Sequence, residues 1–174
     1  MGWKITFAVL AAVLAASALT GCGFAAEQAS EKIIEGSTGA DVEIDDDGES
    51  VSMETEDGSV NIAGGESAEV PSDFPSDMPL YDGTLNVSTA VDTADGKIYS
   101  LGIQTDDDAM DVASWYADEL DAEGWTTLSE ITNDSGGATM VVYALEKGTT
   151  EAQVVINADG SEPTQIAVTV TAPD

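Results

Sequence analysis

The sequence predicts an α+β protein: a largely antiparallel β-sheet with one packed α-helix, in the order β-β-α-β-β-β-β, preceded by a short β-meander and a disordered tether. Three observations predict it. Apolar and polar residues alternate in short stretches across residues 42–62 and 85–170, which is the period of a half-buried strand. Short turns rich in Asp, Asn and Gly separate these stretches and favour antiparallel neighbours over parallel crossovers. A single stretch, residues 106–123, repeats with the period of a helix instead.

Residues 22–40 are small and polar with no sustained apolar stripe, as expected of a tether. In residues 41–63, Val42 and Ile44, then Val51 and Met53, then Val60 and Ile62 alternate with polar residues. Asp47-Gly48 and Glu56-Asp57-Gly58 break the runs, so this region reads as a small meander of two hairpins. Each strand carries too few apolar residues to bury much alone. The meander therefore either packs on the C-terminal domain or stays flexible.

Residues 64–69 have the composition of a linker, and residues 70–172 that of an α+β domain. Pro71, Pro75 and Pro79 hold the start of this domain extended. Phe74, Met78, Leu80 and Tyr81 are too apolar for a free linker, which predicts an arm packed across the domain. Leu85, Val87 and Thr89 alternate on one strand. Tyr99, Leu101 and Ile103 form the apolar face of the next.

Thr105 or Asp106 is placed to cap the helix, with the run 106–108 supplying negative charge at the positive end of its dipole. Ala109, Ala113, Tyr116 and Leu120 form its apolar face, widened by Met110, Val112 and Ala117. Asp111, Ser114, Asp118 and Asp121 lie opposite, and Gly124 stops the helix. Strand patterns resume at Thr127 to Ile131, Met140 to Leu145, Ala152 to Ile156 and Ile166 to Val170.

Composition removes several functions. Beyond residue 21 the chain has 34 acids against three lysines, Lys32, Lys97 and Lys147, which leaves the formal charge at −31. Such a surface repels phosphates, so no nucleic-acid partner is expected. The chain has no histidine, and with four basic residues that are all lysine it has no arginine. Nucleophile systems that need a histidine base cannot be built. No carboxylate pair stands out from the other acids, so no catalytic residue is assigned and the chain is expected not to be an enzyme. A lone cysteine forms no intramolecular disulfide and offers no Cys-based metal centre, and no cofactor is expected. The acidity reads as a solvated coat, suited to high salt.

A second reading of the acids is calcium. Counted from Glu43, the residues Glu43, Asp45, Asp47, Gly48 and, at the twelfth position, Glu54 partly match an EF-hand loop. The first ligand is Glu rather than Asp, and the flanks alternate like strands. An Asp-rich hairpin turn accounts for the same residues. The alternative function is thus a divalent-cation-responsive module using Asp-rich turns.

The beginning of the chain carries the sharpest motif. Lys4 is followed by an uncharged apolar run and then Leu19-Thr20-Gly21-Cys22. Basic start, apolar middle and small residues before the cut are the order of a signal peptide, residues 1–21, and the run is short for a membrane span. The four residues ending in Cys22 resemble the lipobox of bacterial lipoproteins. That resemblance implies cleavage before Cys22, lipidation on it, and attachment to the extracytoplasmic face of a membrane. Trp115-Tyr116-Ala117-Asp118-Glu119-Leu120 with Gly124-Trp125, and the arm Phe74-Pro75-Ser76-Asp77-Met78-Pro79-Leu80-Tyr81, resemble a loose, uncharacterised group of exported bacterial lipoproteins. The resemblance covers residues 70–172 and implies a small α+β domain, with no activity attached. Trp115, Tyr116 and Trp125 read either as core fillers between helix and sheet or as an aromatic surface for a peptide or sugar. The expected whole is a non-enzymatic, lipid-anchored cell-envelope domain that binds a protein or glycan partner.

Overall fold

The computed structural model describes residues 41–45, 49–55 and 58–173. Its nine strands are β1 (Asp41–Ile44), β2 (Ser50–Thr55), β3 (Gly58–Gly64), β4 (Thr84–Thr93), β5 (Gly96–Thr105), β6 (Thr126–Ser135), β7 (Ala138–Lys147), β8 (Thr150–Ala158) and β9 (Thr164–Ala172). One helix, α1 (Ala109–Ala122), lies between β5 and β6 in sequence. The strands form one sheet in the order β1-β2-β3-β4-β5-β9-β8-β7-β6, antiparallel at every pairing. A mostly antiparallel sheet with one helix is the class that the alternation predicts.

The meander is not a separate unit. β3 pairs with β4 from Gly58↔Thr93 to Gly64↔Val87, so β1–β3 extend the sheet of the C-terminal part edge-on. The region read as a linker holds a short 3-10 turn, Gly65–Ser67. From there the proline arm crosses the helix side of the sheet before β4 begins. Met78 is buried, and Phe74 meets Tyr99 edge-to-face with ring centroids 5.6 Å apart. The Trp125 indole N–H donates to the carbonyl of Asp77 at 2.8 Å, and the Tyr99 hydroxyl donates to that of Asp73 at 3.1 Å. The arm is thus part of the packed layer, as its apolar residues require.

Helix α1 begins one residue after Asp108, whose carboxylate accepts from the backbone N–H of Met110 at 2.9 Å. Asp108 therefore takes the capping role expected of Thr105 or Asp106. Thr105 and Asp107 instead bond to each other in the approach to the helix. The buried stripe is Ala109, Val112, Ala113, Tyr116 and Leu120; Met110 and Ala117 turn outward and do not widen it. Asp111, Ser114, Asp118 and Asp121 are exposed, as the pattern requires. The helix ends in a Schellman-type closure: Trp125 N–H donates to the Leu120 carbonyl at 2.9 Å and Gly124 N–H to that of Asp121 at 3.0 Å. Gly124 sits at φ +80°, which a side chain would resist. The closure also brings Trp125 into the same apolar cluster as Leu120.

That cluster combines the α1 stripe with Tyr99 and Ile103 of β5, Val141, Tyr143 and Leu145 of β7, Val154 and Ile156 of β8, and Ile166, Val168 and Val170 of β9. Burying each such aliphatic side chain stabilises the fold by roughly 1.5–3 kcal/mol. The Tyr143 hydroxyl donates to the Ala113 carbonyl at 3.0 Å and ties helix to sheet. One expectation fails locally. A bulge between Leu85 and Val87 breaks their alternation: Leu85 packs on the core while Val87 is exposed. In β6, an edge strand exposed along its whole length, Leu128 and Ile131 face solvent.

Candidate functional site

Register places the polar and apolar residues of each row on common faces. One helix-side row runs Glu43, Ser52, Asn61, Ala90, Tyr99, Val170, Ala152 and Leu145 across β1 to β7. A neighbouring row runs Ser50, Ala63, Ser88, Leu101, Val168, Val154 and Tyr143. In both rows β5 marks the change from polar residues and alanines to mainly large apolar or aromatic ones. On the opposite face Val42, Met53, Val60, Val91 and Ile98 align across β1–β5. The apolar residues of the meander therefore point away from the helix layer, and its serines point toward it.

Arm and helix cover only the β5, β9, β8 and β7 half of the helix side. The other half is an open trough of about 700 Å³, floored by β1–β5 and walled on one side by Glu69, Pro71, Ser72 and Asp73. Its floor carries Ser50, Ser52, Ser59, Asn61, Ala63, Ser88 and Ala90. Small side chains on a sheet leave depth, and hydroxyl and amide groups leave hydrogen-bond capacity in it. The Ser52 hydroxyl donates to the Asn61 side-chain oxygen at 2.8 Å, which leaves the amide N–H groups of Asn61 to reach outward.

Lys97 supplies the trough's ammonium, and it is paired with Asp73 at 2.5 Å and with Asp92 at 3.3 Å. The bond to Lys97 holds the Asp73 carboxyl below its ordinary value, while its two carboxylates push Lys97 up. These groups are about half exposed, so the pairs fix the rim's geometry more than they stabilise the fold.

Of the residues of the calcium reading, Glu43, Asp45 and Glu54 are described, on or beside β1 and β2. Glu43 and Glu54 sit on paired strands, and Ser52 and Asn61 follow Glu43 along its row. Asp45 accepts from the Glu49 backbone N–H at 2.8 Å and from the Ser50 hydroxyl at 2.9 Å, so it closes the hairpin turn. The flanks of this loop are strands rather than the helices of an EF-hand. Asp47 and Cys22 lie outside the described residues. Among the described residues, no three acids, cysteines or histidines gather in a way that suits a metal ion.

The three aromatic candidates separate. Tyr116 and Trp125 are buried in the core, where burial pushes the Tyr116 phenol well above its ordinary value. They are core fillers. Trp115 alone is half-buried; it meets Tyr81 edge-to-face at 5.0 Å and Tyr116 at 4.9 Å. Trp115 and Tyr81 line a second cleft, of about 540 Å³, with Leu80, Asp82, Gly83 and Asp107. Sequence reading missed the trough entirely. Its signal was the serine-rich polar phase of β2 and β3, but the phase alone does not say which side of the sheet carries the helix.

Known proteins give partial matches. A family described as START domain-like matches residues 83–166, from the start of β4 into β9. β1–β3, and with them most of the trough floor, lie outside that stretch. An uncharacterised protein of Archaeoglobus fulgidus is 44% identical over 57 residues, which is 32% of this chain and 20% of the relative. The chain thus spans about a fifth of that relative's length. No solved structure matches the chain. No helix of the described residues is long and apolar enough to cross a membrane.

Proposed function

We propose that this chain is a non-enzymatic, lipid-anchored binding module of the cell envelope, which takes a polar partner, a glycan or a protein segment, into the trough. The observation that carries the reading is the trough itself: a cleft of about 700 Å³ whose floor carries serine, asparagine and alanine side chains on the same sheet face that carries the core further along. Its volume lies in the range of ligand sites, and its hydroxyl and amide groups suit a polar ligand rather than the apolar ligands that most pockets take. Catalysis is left out because the chain has no histidine and the trough's lysine is held between two carboxylates. Anchoring rests on Leu19-Thr20-Gly21-Cys22, with two acyl chains giving stable attachment where one gives marginal attachment.

Two variants test the two halves of this reading. Cys22→Ser should release the protein from membranes or leave it unprocessed; a mature-sized protein that still fractionates with membranes overturns the anchor. Asn61→Trp fills the trough from an exposed position. It should abolish retention of envelope components by the immobilised protein while leaving its melting temperature unchanged. Undiminished retention overturns the trough as the binding site.

A further inference from the structure

The second cleft is walled by two aromatic rings at right angles. Tyr81 and Trp115 are inclined at 86° with centroids 5.0 Å apart, so the pair makes a corner rather than a stack. Each ring is fixed from behind. The Tyr81 hydroxyl donates to Asp107 at 2.8 Å, and its backbone N–H donates to the Tyr116 hydroxyl at 3.3 Å. Trp115 rests edge-to-face on the buried Tyr116 ring. Asp107 is itself anchored, since its carbonyl accepts from the Thr164 hydroxyl at 2.7 Å. Gly83 lets the arm approach β5 closely, because a Cβ there would lie 2.5 Å from the Gln104 carbonyl oxygen. The corner therefore exists before any ligand arrives, and little side-chain freedom is lost on binding.

Its charge is one-sided. Asp82 and Asp107 line the cleft. Both described lysines are engaged elsewhere: Lys97 with Asp73 and Asp92, and Lys147 with Asp77 and the Glu123 carbonyl. The Tyr81 phenol is pushed above its ordinary value by its bond to Asp107 first, then by partial burial and by the charges of Asp107, Asp111 and Asp82, so three carboxylates bear on this spot. Aromatic faces attract cations through the ring quadrupole, and neighbouring carboxylates add Coulomb attraction. From the perpendicular rings and the carboxylates beside them we infer that the Tyr81–Trp115 corner binds an organic ammonium ion. The site is separate from the trough, at the other end of the proline arm, and does not depend on it.

The test is titration of the mature chain with choline chloride, read in every variant by the backbone amide resonance of Gly83, which lines the cleft, and by the indole N–H resonance of Trp115 wherever that residue is present. Two parallel titrations use the neutral isostere 3,3-dimethylbutan-1-ol and sodium chloride at matched ionic strength. The expected result is a saturable shift with choline only, weakened by at least about tenfold in Trp115→Leu, the range of a desolvated cation–π contact. Asp82→Asn, on an exposed residue that leaves the fold intact, should weaken binding by about two- to fivefold, the range of a partly screened charge. The Asp82 variant carries the test if Trp115→Leu melts early. An equal response to the isostere, a response to sodium chloride alone, or a shift confined to Trp125 overturns the inference. So does the absence of saturation up to about 100 mM choline, weaker than a pre-formed aromatic site should be.

Discussion

The two halves of the helix-side face share one sheet and one ladder of hydrogen bonds, yet they do different things. Where β5, β9, β8 and β7 present Tyr99, Val170, Ala152 and Leu145, arm and helix close over them and a core forms. Where β1–β4 present Glu43, Ser52, Asn61 and Ala90 in the same row, nothing in the described chain closes over them. Backbone pairing is thus indifferent to which half becomes interior. The side chains of a single row decide it, through the apolar area they offer to an overlying layer. Stability should belong to one half and recognition to the other.

The largest effect that sharpens this contrast is expected in the covered half. Leu120→Ala removes a side chain that is 1% exposed and should cost about 2–5 kcal/mol in denaturant unfolding. A loss under about 1 kcal/mol would mean that the helix is not seated on the sheet as described.

The next is alkaline instability. Burial raises the Tyr116 phenol, and burial first, then other causes, raises Tyr99 and Tyr143. The folded state therefore favours the protonated phenols. Their contribution is full below about pH 10, the ordinary tyrosine value, and is lost as pH rises past it. With no histidine to titrate, melting temperature should be flat from about pH 6 to 9 and fall steeply above about pH 10. A fall that begins near neutrality would contradict the account.

Salt should act on the whole surface. About −31 charges with few bases to pair them repel each other, so sodium chloride should raise the melting temperature, most steeply from roughly 0.15 to 1 M. A saturable rise with sub-millimolar calcium at matched ionic strength, abolished by Asp47→Ala, would instead favour the cation-responsive reading. The smallest effects belong to exposed positions. Asp118→Ala on the helix and Asn61→Ser in the trough should each change stability by less than about 0.5 kcal/mol. A larger loss from Asn61→Ser would make the trough part of the core and erase the contrast.

Much of the covered half was legible in the sequence. The phase of Ala109, Ala113, Tyr116 and Leu120 gave the buried stripe of α1, and the alternation of Tyr99, Leu101 and Ile103 gave the core face of β5. The packed arm was legible in the apolar residues between its prolines. The helix cap was misplaced because three consecutive aspartates offer equivalent chemistry, and only backbone geometry selects Asp108. The trough was not legible for a different reason. In β2 and β3 both phases are plain, Val51 and Met53 against Ser50 and Ser52, but which phase meets the helix side depends on the long-range pairing of β3 with β4. Serines that look like a solvated face become a binding floor only once Asn61 is opposite Ala90 and Ala90 opposite Tyr99. The Tyr81–Trp115 corner likewise joins residues 34 positions apart in sequence, and its exposure depends on how the arm returns to the helix.

The most direct measurement for the division between the halves is amide chemical-shift mapping of the mature chain against fractionated envelope glycans and proteins. The account predicts that shifts caused by a retained component gather at Ser52, Asn61, Ser88 and Ala90 on the trough floor, with the core strands silent. Shifts gathered instead on the exposed edge at Leu128 and Ile131, or on the opposite face at Val60 and Ile98, with the trough unmoved, would contradict it.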